Sequence, residues 1–574
     1  MPRDILTNSS GNHNGRGRIG LKIAAAFIGL GLLTAGCAHS GPLKVPIDRD
    51  VRIPPKRAIV LFADGVRADL CEQMVEAGEL PNLKKYIYDR GCRARCGVTC
   101  LPSITYAVTA SLTTGQFPGH HGIMGNKWFD RHSGQLQDYQ HIRTYQQVNQ
   151  DIRSLTIFEV LNDKYTVAIQ TANYLGATRP IENWTSSGIN WFFERWLAVD
   201  QLVAIRFELI AKIANATGRW PDFILAYFPA IDETGHHFGA DSKQYRQALV
   251  NLDEQIGRIC RALAEAGLLD EYYLVFMSDH GHVPAAHRDY FSLEDFFEEQ
   301  LGIHVMDHMF MENKSSEERL AYLNHKYRVA LVSGGSRRAH IHLRTGKTWF
   351  DEPSYDDVVN FIKNFGGRET QPKFRSRSLI EMFAEQKSIR LVAAKVSPNQ
   401  VKVFYGDQCA TIERENDGKG KTYRYLPEKG DPLEYLSLAQ TRNLTDGKFH
   451  DGRAWLEASC SSEFPDFVPQ IVEMFDSSRA GQIVVFAARG WHFSRFDLGG
   501  HGSVLKDDMR VPFVVAGPNI RQGEFGCARI VDIVPTVLDL MGLSGRLERL
   551  GKIDGVSLIS ELIAGGESQK SKTP

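Results

Sequence analysis

AIVLFADG, residues 58–65, is the stretch that decides the fold: six apolar residues end at an aspartate and a glycine. A continuous apolar run of this length predicts a strand buried on both faces of a parallel sheet. The design recurs, because FILAYF (223–228) precedes Asp232 and YYLVFM (272–277) precedes Asp279. Ligands of open α/β sheets bind beyond the carboxyl ends of the strands, so three strands that lead to an acid predict a site there.

Helical stretches separate several of these strands, and 483–488 and 512–516 are further candidate strands. This pattern predicts an α/β fold with a mostly parallel central sheet flanked by helices. Between about 290 and 480 the sequence pattern changes to short runs in which apolar and polar residues alternate, such as 389–396. The change indicates an inserted α+β subdomain, after which we expect the chain to return to the core near Gln482.

The N-terminus has the pattern of an export signal. A basic stretch precedes an apolar run, 23–33, which is too short to span a bilayer comfortably and leads to Cys37. Leu-Thr-Ala-Gly-Cys resembles a bacterial lipobox with Cys37 as the lipidated residue, although Thr34 stands where that pattern prefers leucine. An ordinary cleaved signal and an uncleaved anchor are the alternatives. We expect a lipoprotein on the periplasmic side of a bacterial membrane, and Ala38 favours the outer membrane.

Length and charge limit the number of domains and the class of partner that we expect. Its 574 residues exceed one ordinary core, and a formal net charge of −1 argues against nucleic acid as a partner. The predicted segments are a signal peptide (1–37), a tether (38–57), a catalytic domain in two parts (58–290 and 482–565) and an inserted subdomain (291–481).

Nine cysteines occur, eight of them besides Cys37. An even number in an exported protein permits disulfides, but the sequence does not reveal their pairing. Cys92, Cys96 and Cys100 are spaced by four residues, so a thiolate metal site is one interpretation. Disulfides or buried thiols are favoured there, because no histidine pair accompanies them at zinc-finger spacing.

The residues after the strands supply the parts that two-metal phosphoryl transfer needs. Asp232 and His236 are four residues apart, so in a helix they face one point. The Asp-His pair at 279–280 follows a buried strand, and the glycines of GGHG (499–502) let the backbone approach an ion closely. Carboxylates and imidazoles can hold two cations. A hydroxyl nucleophile and donors to the phosphoryl group complete the requirement.

In this order the motifs resemble the nucleotide pyrophosphatase/phosphodiesterase branch of the alkaline phosphatase superfamily, over about 58–290 and 482–560. The family's Pro-x-x-Thr-aromatic motif matches 102–106, and Thr105 precedes Gly115 by the family's ten residues. Other matching positions are Asp64-Gly65 at the start, Pro118, His121-Gly122 and Asn126 after the nucleophile, and 532–536 with Asp554-Gly555 at the end.

The resemblance implies a role for each matching residue. Thr105 is the nucleophile and forms a phospho-threonine intermediate that water hydrolyses, and Asn126 donates to a phosphoryl oxygen. Zinc suits the mixed nitrogen and oxygen ligands. The resemblance implies two divalent metal ions, one held by Asp232, His236 and His501, and the other by Asp64, Asp279, His280 and Thr105.

A competing motif surrounds Cys100. Cys-Leu-Pro-Ser (100–103) resembles the sulfatase nucleophile motif, whose cysteine is modified to formylglycine. Ile104 replaces the arginine that this motif requires, and Cys100 precedes Gly115 by 15 residues rather than ten. We therefore expect Cys100 to be structural. The family also often shows Pro-Asn after the Thr-aromatic pair; Ala-Val follows here, so contacts to substrate are expected to differ.

Three further features lie close to these motifs. His237 could compete with His236 as a ligand, but the spacing from Asp232 favours His236. We expect His282 to lie beside the ligand set rather than in it. GGSRR (334–338) could form an anion-binding turn, but a solvated loop in the insert is favoured.

The reaction type is predicted from what the sequence lacks. Related monoesterases grip the extra charge of a monoester with Lys or Arg, and one group uses a Lys-x-Arg pair. The corresponding stretch, 168–174, has no such pair, although Arg179 is nearby. We therefore expect a phosphodiesterase or pyrophosphatase that acts on a phosphate-ester small molecule or a lipid head group. The alternatives are a phosphotransferase, a phosphomonoesterase and, outside enzymes, a binding protein with an inactive site.

Overall fold

The apolar run 58–63 lies in strand β1, Arg57–Ala63, inside a nine-stranded sheet. Its side chains pack into two hydrophobic clusters, Ile59 and Leu61 on one face of the sheet and Val60 and Phe62 on the other. Burial of both faces explains why the run is continuously apolar. The structure is a computed structural model that describes residues 56–563, apart from 142, 182–183, 286–289, 307–313, 368, 417, 419 and 495–496.

The remaining strands are short, and most have a high content of buried apolar residues. In chain order they are β2 (Gly91–Val98), β3 (Lys127–Asp130), β4 (Gln135–Asp138), β5 (Thr166–Ile169), β6 (Arg179–Ile181), β7 (Phe223–Phe228), β8 (Tyr272–Ser278), β9 (Val283–Pro284), β10 (Val329–Gly334), β11 (Arg338–Leu343), β12 (Ile389–Ser397), β13 (Gln400–Tyr405), β14 (Gln408–Asn416), β15 (Lys421–Lys429), β16 (His450–Asp451), β17 (Ile483–Ala487), β18 (Gly499–Gly500), β19 (Arg510–Val511), β20 (Phe513–Ala516) and β21 (Gly523–Arg529).

Helices separate the strands of the central sheet. Those of eight or more residues are α1 (Ala68–Glu76), α2 (Thr105–Thr114), α3 (Trp184–Phe192), α4 (Trp196–Thr217), α5 (Ala230–Phe238), α6 (Lys243–Glu265), α7 (Ser316–Lys326), α8 (Gly452–Ser459), α9 (Phe467–Met474) and α10 (Ile533–Leu540).

The central sheet has the strand order β19-β2-β20-β8-β1-β7-β5-β6, and β21 pairs with β2. Strands β6, β5, β7, β1 and β8 run parallel, whereas β19 and β20 pair antiparallel with their neighbours. The predicted fold, a mostly parallel sheet flanked by helices, is confirmed. Pro512 separates β19 from β20, because it has no N–H to donate to the sheet.

The register of the three central strands brings their carboxyl ends to one level. Ala63 at the end of β1 pairs with Phe228 of β7 and with Ser278 of β8. Asp64 and Asp279 therefore leave the sheet side by side, and α5 begins two residues after β7. The topology alone places Asp64, Asp279 and the start of α5 at one edge of the sheet.

The expected additional subdomain is present as a second, antiparallel sheet of eight strands, in the order β10-β11-β17-β12-β13-β14-β15-β16. The prediction that the chain returns to the central sheet near Gln482 is wrong. Strand β17 (Ile483–Ala487) lies between β11 and β12, and the chain rejoins the central sheet only at Arg510. An apolar run that is buried on both faces suits either sheet, so its composition cannot assign it. The predicted boundary at 481–482 therefore falls inside the second sheet, and the other domain boundaries stay a prediction.

A disulfide joins the central sheet to the segment that follows α8. Cys96 of β2 is bonded to Cys460, which directly follows α8, whereas Cys92 and Cys100 are buried thiols. This agrees with the preference for disulfides or buried thiols over a metal site among Cys92, Cys96 and Cys100.

The predicted signal peptide, the lipidation site at Cys37 and nearly all of the tether lie outside the described residues. Among the helices that are described, none combines the length and apolar character needed to cross a bilayer.

Candidate metal and nucleophile site

Asp64 and Asp279 form the floor of the site at the ends of β1 and β8. Asp279 Oδ1 accepts a hydrogen bond from the Gly65 amide at 3.0 Å, and the Tyr227 hydroxyl donates to Asp64 Oδ2. Gly65 has a φ of +68°, and a Cβ there would lie 2.9 Å from the Cα of Asp232. Only glycine lets the chain turn here while α5 approaches this closely.

Helix α5 carries Asp232 and His236 one turn apart, as their spacing predicts. Asp232 Oδ2 lies 3.4 Å from His236 Nε2. His237 is exposed and packs on Trp196, with 4.4 Å between the ring centroids. The helix therefore directs His236, and not His237, towards the carboxylates.

The three predicted histidine ligands share one arrangement: each Nδ1 lies 2.9 Å from a backbone carbonyl oxygen. An imidazole that donates from Nδ1 keeps the lone pair on Nε2 for a metal, and such bonds fix ring orientation at metal sites. The carbonyl partners are Gly499 for His236, Gly281 for His280 and Ser103 for His501.

Two groups in the described part of the chain have donor atoms close enough here to hold a metal, and both contain Asp232. Asp279 Oδ2 is 3.1 Å from His280 Nε2, so this carboxylate also faces the site. The sequence prediction did not anticipate that one carboxylate faces both groups. The first of these two metal groups consists of Asp232, His236 and His501, and the second consists of Asp64, Asp232 and His280.

Three buried carboxylate oxygens in the site have no hydrogen-bond partner among the residues that the structure describes: Asp64 Oδ1, Asp232 Oδ1 and Asp279 Oδ2. Burial raises the pKa of Asp64 well above its usual range, and the charges of Asp279 and Asp232 add to the effect. Burial opposes ionisation of Asp232 too, but His236 and His501 outweigh it and hold its pKa well below the usual range. Buried like charges with unpaired oxygens are costly unless a cation balances them, so these residues fit divalent metal ions.

Thr105 is the first residue of α2, which ends at Thr114 with Gly115 in a left-handed conformation. Its Oγ1 lies 3.4 Å from His280 Nε2, so the hydroxyl opens onto the metal groups. Asn126 Oδ1 accepts a hydrogen bond from the Tyr106 amide at 3.2 Å. This bond occupies the oxygen of the side-chain amide, and its NH₂ group is therefore the end available as a donor beside Thr105.

The turn 334–338 is not a solvated loop, and this expectation was wrong. Gly335 lies against the site, and its carbonyl accepts a hydrogen bond from the His501 amide at 2.7 Å. The two arginines of the turn are buried: Arg337 pairs with Asp508 at 3.0 Å, and Arg338 donates to the Met124 carbonyl. Reasoning from sequence missed this contact because it joins residues far apart in the chain.

Cys100 lies outside both metal groups. Its thiol is fully buried, and burial raises its pKa to about 12. A thiol in this state is not a reactive nucleophile at neutral pH.

Comparison with known proteins identifies the family. The model of the type I phosphodiesterase / nucleotide pyrophosphatase family matches residues 58–347, just over half of the chain. An uncharacterized pyrophosphatase/phosphodiesterase of Schizosaccharomyces pombe is 25% identical over 290 residues, which are 49% of this chain and 57% of that protein. Bis(5'-adenosyl)-triphosphatase ENPP4 of Bos taurus is 26% identical over 235 residues, 40% of this chain and 48% of that protein. The chain thus spans about half the length of these curated relatives.

Solved structures share the fold. Murine ectonucleotide pyrophosphatase / phosphodiesterase 5 has a TM-score of 0.50 at 16% identity, over 85% of this chain and 95% of that one. An inactive variant of the same murine protein, in complex with AMP, has a TM-score of 0.51 at 16% identity, over 86% of this chain and 99% of that one. These likenesses show the shared fold, and the family match shows that the chain belongs to the type I phosphodiesterase / nucleotide pyrophosphatase family of the alkaline phosphatase superfamily.

Proposed function

We propose that the protein hydrolyses phosphodiester or pyrophosphate bonds at a site with two divalent metal ions, and that Thr105 is the nucleophile. One observation carries the proposal: the Thr105 hydroxyl, at the start of a helix, contacts His280 in a site that contains three oriented histidines and three carboxylate oxygens without a hydrogen-bond partner among the described residues. Structural ion pairs would instead satisfy each oxygen within the protein.

Zinc is the proposed metal, since imidazole and carboxylate ligands suit it. Bound divalent cations supply charge stabilisation to the phosphoryl group and favour ionisation of a nearby hydroxyl. We propose that Asp232, His236 and His501 hold one ion. The residues proposed for the other are Asp64, Asp279, His280 and Thr105, with Asp232 close enough to contribute to both.

In the proposed reaction, Thr105 Oγ attacks phosphorus in line with the leaving group. The threonine oxygen forms a bond to phosphorus and loses its proton, while the bond to the leaving oxygen breaks and that oxygen takes up a proton. Water then attacks phosphorus, which restores the Thr105 hydroxyl and releases a phosphate monoester. We propose that the NH₂ group of Asn126 donates to a phosphoryl oxygen and that the dipole at the start of α2 stabilises the negative charge of the phosphoryl group.

Substrate class is proposed from the family and its members. ENPP4 of Bos taurus is named a bis(5'-adenosyl)-triphosphatase, and the murine neighbour was solved with AMP. These names support a nucleotide or another small phosphate ester, and a lipid head group is the alternative. A phosphotransferase would use the same intermediate, because an acceptor hydroxyl can replace water.

The test of reaction type compares kcat/KM for bis-p-nitrophenyl phosphate, thymidine p-nitrophenyl phosphate and p-nitrophenyl phosphate. A diesterase should favour the two diesters by orders of magnitude, because differential transition-state binding sets this ratio. A preference for the monoester would refute the diesterase proposal.

The test of the nucleophile is Thr105→Ala, with Cys100→Ala as the matched control. Thr105→Ala should abolish turnover while the bound metal remains, and Cys100→Ala should keep turnover per folded molecule. The opposite result would assign the nucleophile to Cys100.

We also propose that the protein is exported and held on the periplasmic side of a bacterial membrane by lipid on Cys37. The pattern of residues 23–37 supports this proposal. Cys37→Ala should release the protein into the soluble periplasmic fraction. Unchanged membrane retention would favour an uncleaved helix as the anchor.

A further inference from the structure

His282, the second histidine of SDHGH (278–282), lies buried next to Asp232 and outside both metal groups. Its Nε2 is 3.5 Å from Asp232 Oδ1. Within the described part of the chain, neither ring nitrogen has a hydrogen-bond partner, and Asp232 Oδ1 has none. Buried polar atoms in folded proteins are nearly always paired, so these adjacent unpaired atoms need an explanation.

Two glycines make room for the His282 ring. A Cβ at Gly235 would lie 2.7 Å from His282 Nε2, and a Cβ at Gly499 would lie 2.6 Å from its Cε1. Any larger residue at either position would displace the ring, because interiors are close-packed. The carbonyl of Gly499 also accepts the hydrogen bond from His236 Nδ1. The backbone that surrounds His282 thus also orients a proposed metal ligand.

The chemistry of the two groups is complementary. The Asp232 carboxylate only accepts hydrogen bonds, whereas a neutral imidazole has one N–H to donate. Asp232 Oδ2 faces His236 at 3.4 Å, and Oδ1 faces His282 at 3.5 Å and His501 at 3.8 Å. A bond from His282 Nε2–H to Oδ1 would fix the rotation of the carboxylate that both metal groups share.

We infer that His282 is a positioning residue: it donates from Nε2 to Asp232 Oδ1 and holds this carboxylate in the orientation that serves both metal groups. The inference rests on the metal site of the proposed function. Partners that orient metal ligands typically contribute about 10–100-fold to metal affinity.

The experiment measures Zn²⁺ affinity by competition with a chelator, in the full chain and at fixed pH. His282→Met introduces an apolar side chain of similar size and removes the N–H. This variant should bind zinc about 10–100-fold more weakly. At saturating zinc it should still hold two equivalents. His282→Gln restores a donor and should recover part of the affinity. The matched control is His342→Met, which removes an equally buried and unpaired imidazole from β11 of the second sheet.

Unchanged affinity in His282→Met would overturn the inference. Loss of a whole equivalent at saturating zinc would make His282 a ligand, and an equal loss in His342→Met would make the effect one of folding; both would also overturn it. If His282→Met does not fold, His282→Leu must bind zinc more weakly than His282→Gln. A wild-type chain that binds no zinc would refute the proposed metal site itself, whereas the outcomes above leave that site intact.

Discussion

Two groups of histidine and carboxylate residues lie at the two ends of α2, and each could hold a metal on residue type alone. The first surrounds Thr105 at the start of the helix. The second surrounds His120, whose partner Asp554 contacts the helix end, because the Asp554 amide donates to the Gly115 carbonyl at 2.9 Å. A helix of ten residues is about 15 Å long, so the two groups are separate.

The second group is satisfied within the protein. His120 Nδ1 lies 2.5 Å from Asp554, and its Nε2 lies 2.8 Å from Glu473 and 3.1 Å from Asp476. Lys421 also pairs with Glu473. With both ring nitrogens engaged and a cation already on the carboxylate, this group is a network of ion pairs.

The first group has the opposite character. Its histidines use Nδ1 for backbone carbonyls, and among the described residues no hydrogen-bond donor meets Asp64 Oδ1 or Asp279 Oδ2. Ligand-type residues within reach of one another therefore do not define a metal site. What separates the groups is whether donor atoms are left unpaired and point towards a common centre.

The largest expected effect comes from Asp232→Asn. This change removes the carboxylate that the two candidate metal groups near Thr105 have in common. Turnover should fall by about 1,000-fold or more, because charge stabilisation by two cations is worth several kcal/mol. The measurement is kcat/KM with a diester substrate. Activity within tenfold of wild type would mean that the unpaired oxygens do not mark the catalytic centre.

The matched change in the second group is Glu473→Gln. It leaves His120 and Lys421 without their buried partner, and should lower the free energy of unfolding by about 3 kcal/mol. Denaturant unfolding measures this, while turnover per folded molecule should be retained. Loss of turnover without loss of stability would make the second group part of the active site.

The smallest effect on turnover is expected from a substitution that changes the pH dependence of stability. Burial alone would lower the pKa of His120, but hydrogen bonds to Asp476, Asp554 and Glu473 raise it to about 11. The unfolded chain has the ordinary value of about 6.5, so this stabilisation is complete below that pH and is lost as pH rises towards 11. His120→Gln should therefore flatten the decline in unfolding free energy between pH 7 and pH 10. Parallel curves for the two proteins would show that His120 is not held protonated.

The sequence predicted the central sheet, and it predicted that Asp64, Asp232 and Asp279 meet at its edge, because both follow from local patterns. The inclusion of Thr105 and His501 in the proposed site followed from the family resemblance instead. Apolar runs ending in Asp64 and Asp279 identify buried parallel strands, and the spacing of Asp232 and His236 identifies one face of a helix. Each of these signals is contained in a short segment of sequence, so it can be recognised without knowledge of long-range contacts.

The sequence could not predict contacts between distant segments. The place of β17 in the second sheet and the packing of Gly335 on His501 depend on which surfaces meet. The position of Asp232 in both metal groups and the burial of His282 against it depend on distances of a few ångströms. The types of the residues do not determine these distances between side chains.

The most direct test is the metal content of the purified chain, measured for wild type, Asp232→Asn and Glu473→Gln. The two-metal account predicts about two zinc equivalents in wild type and in Glu473→Gln, and fewer in Asp232→Asn. Exhaustive chelation should remove the wild-type metal together with the activity. Full activity after chelation, or loss of metal from Glu473→Gln with retention in Asp232→Asn, would contradict the assignment of the metal site to the start of α2.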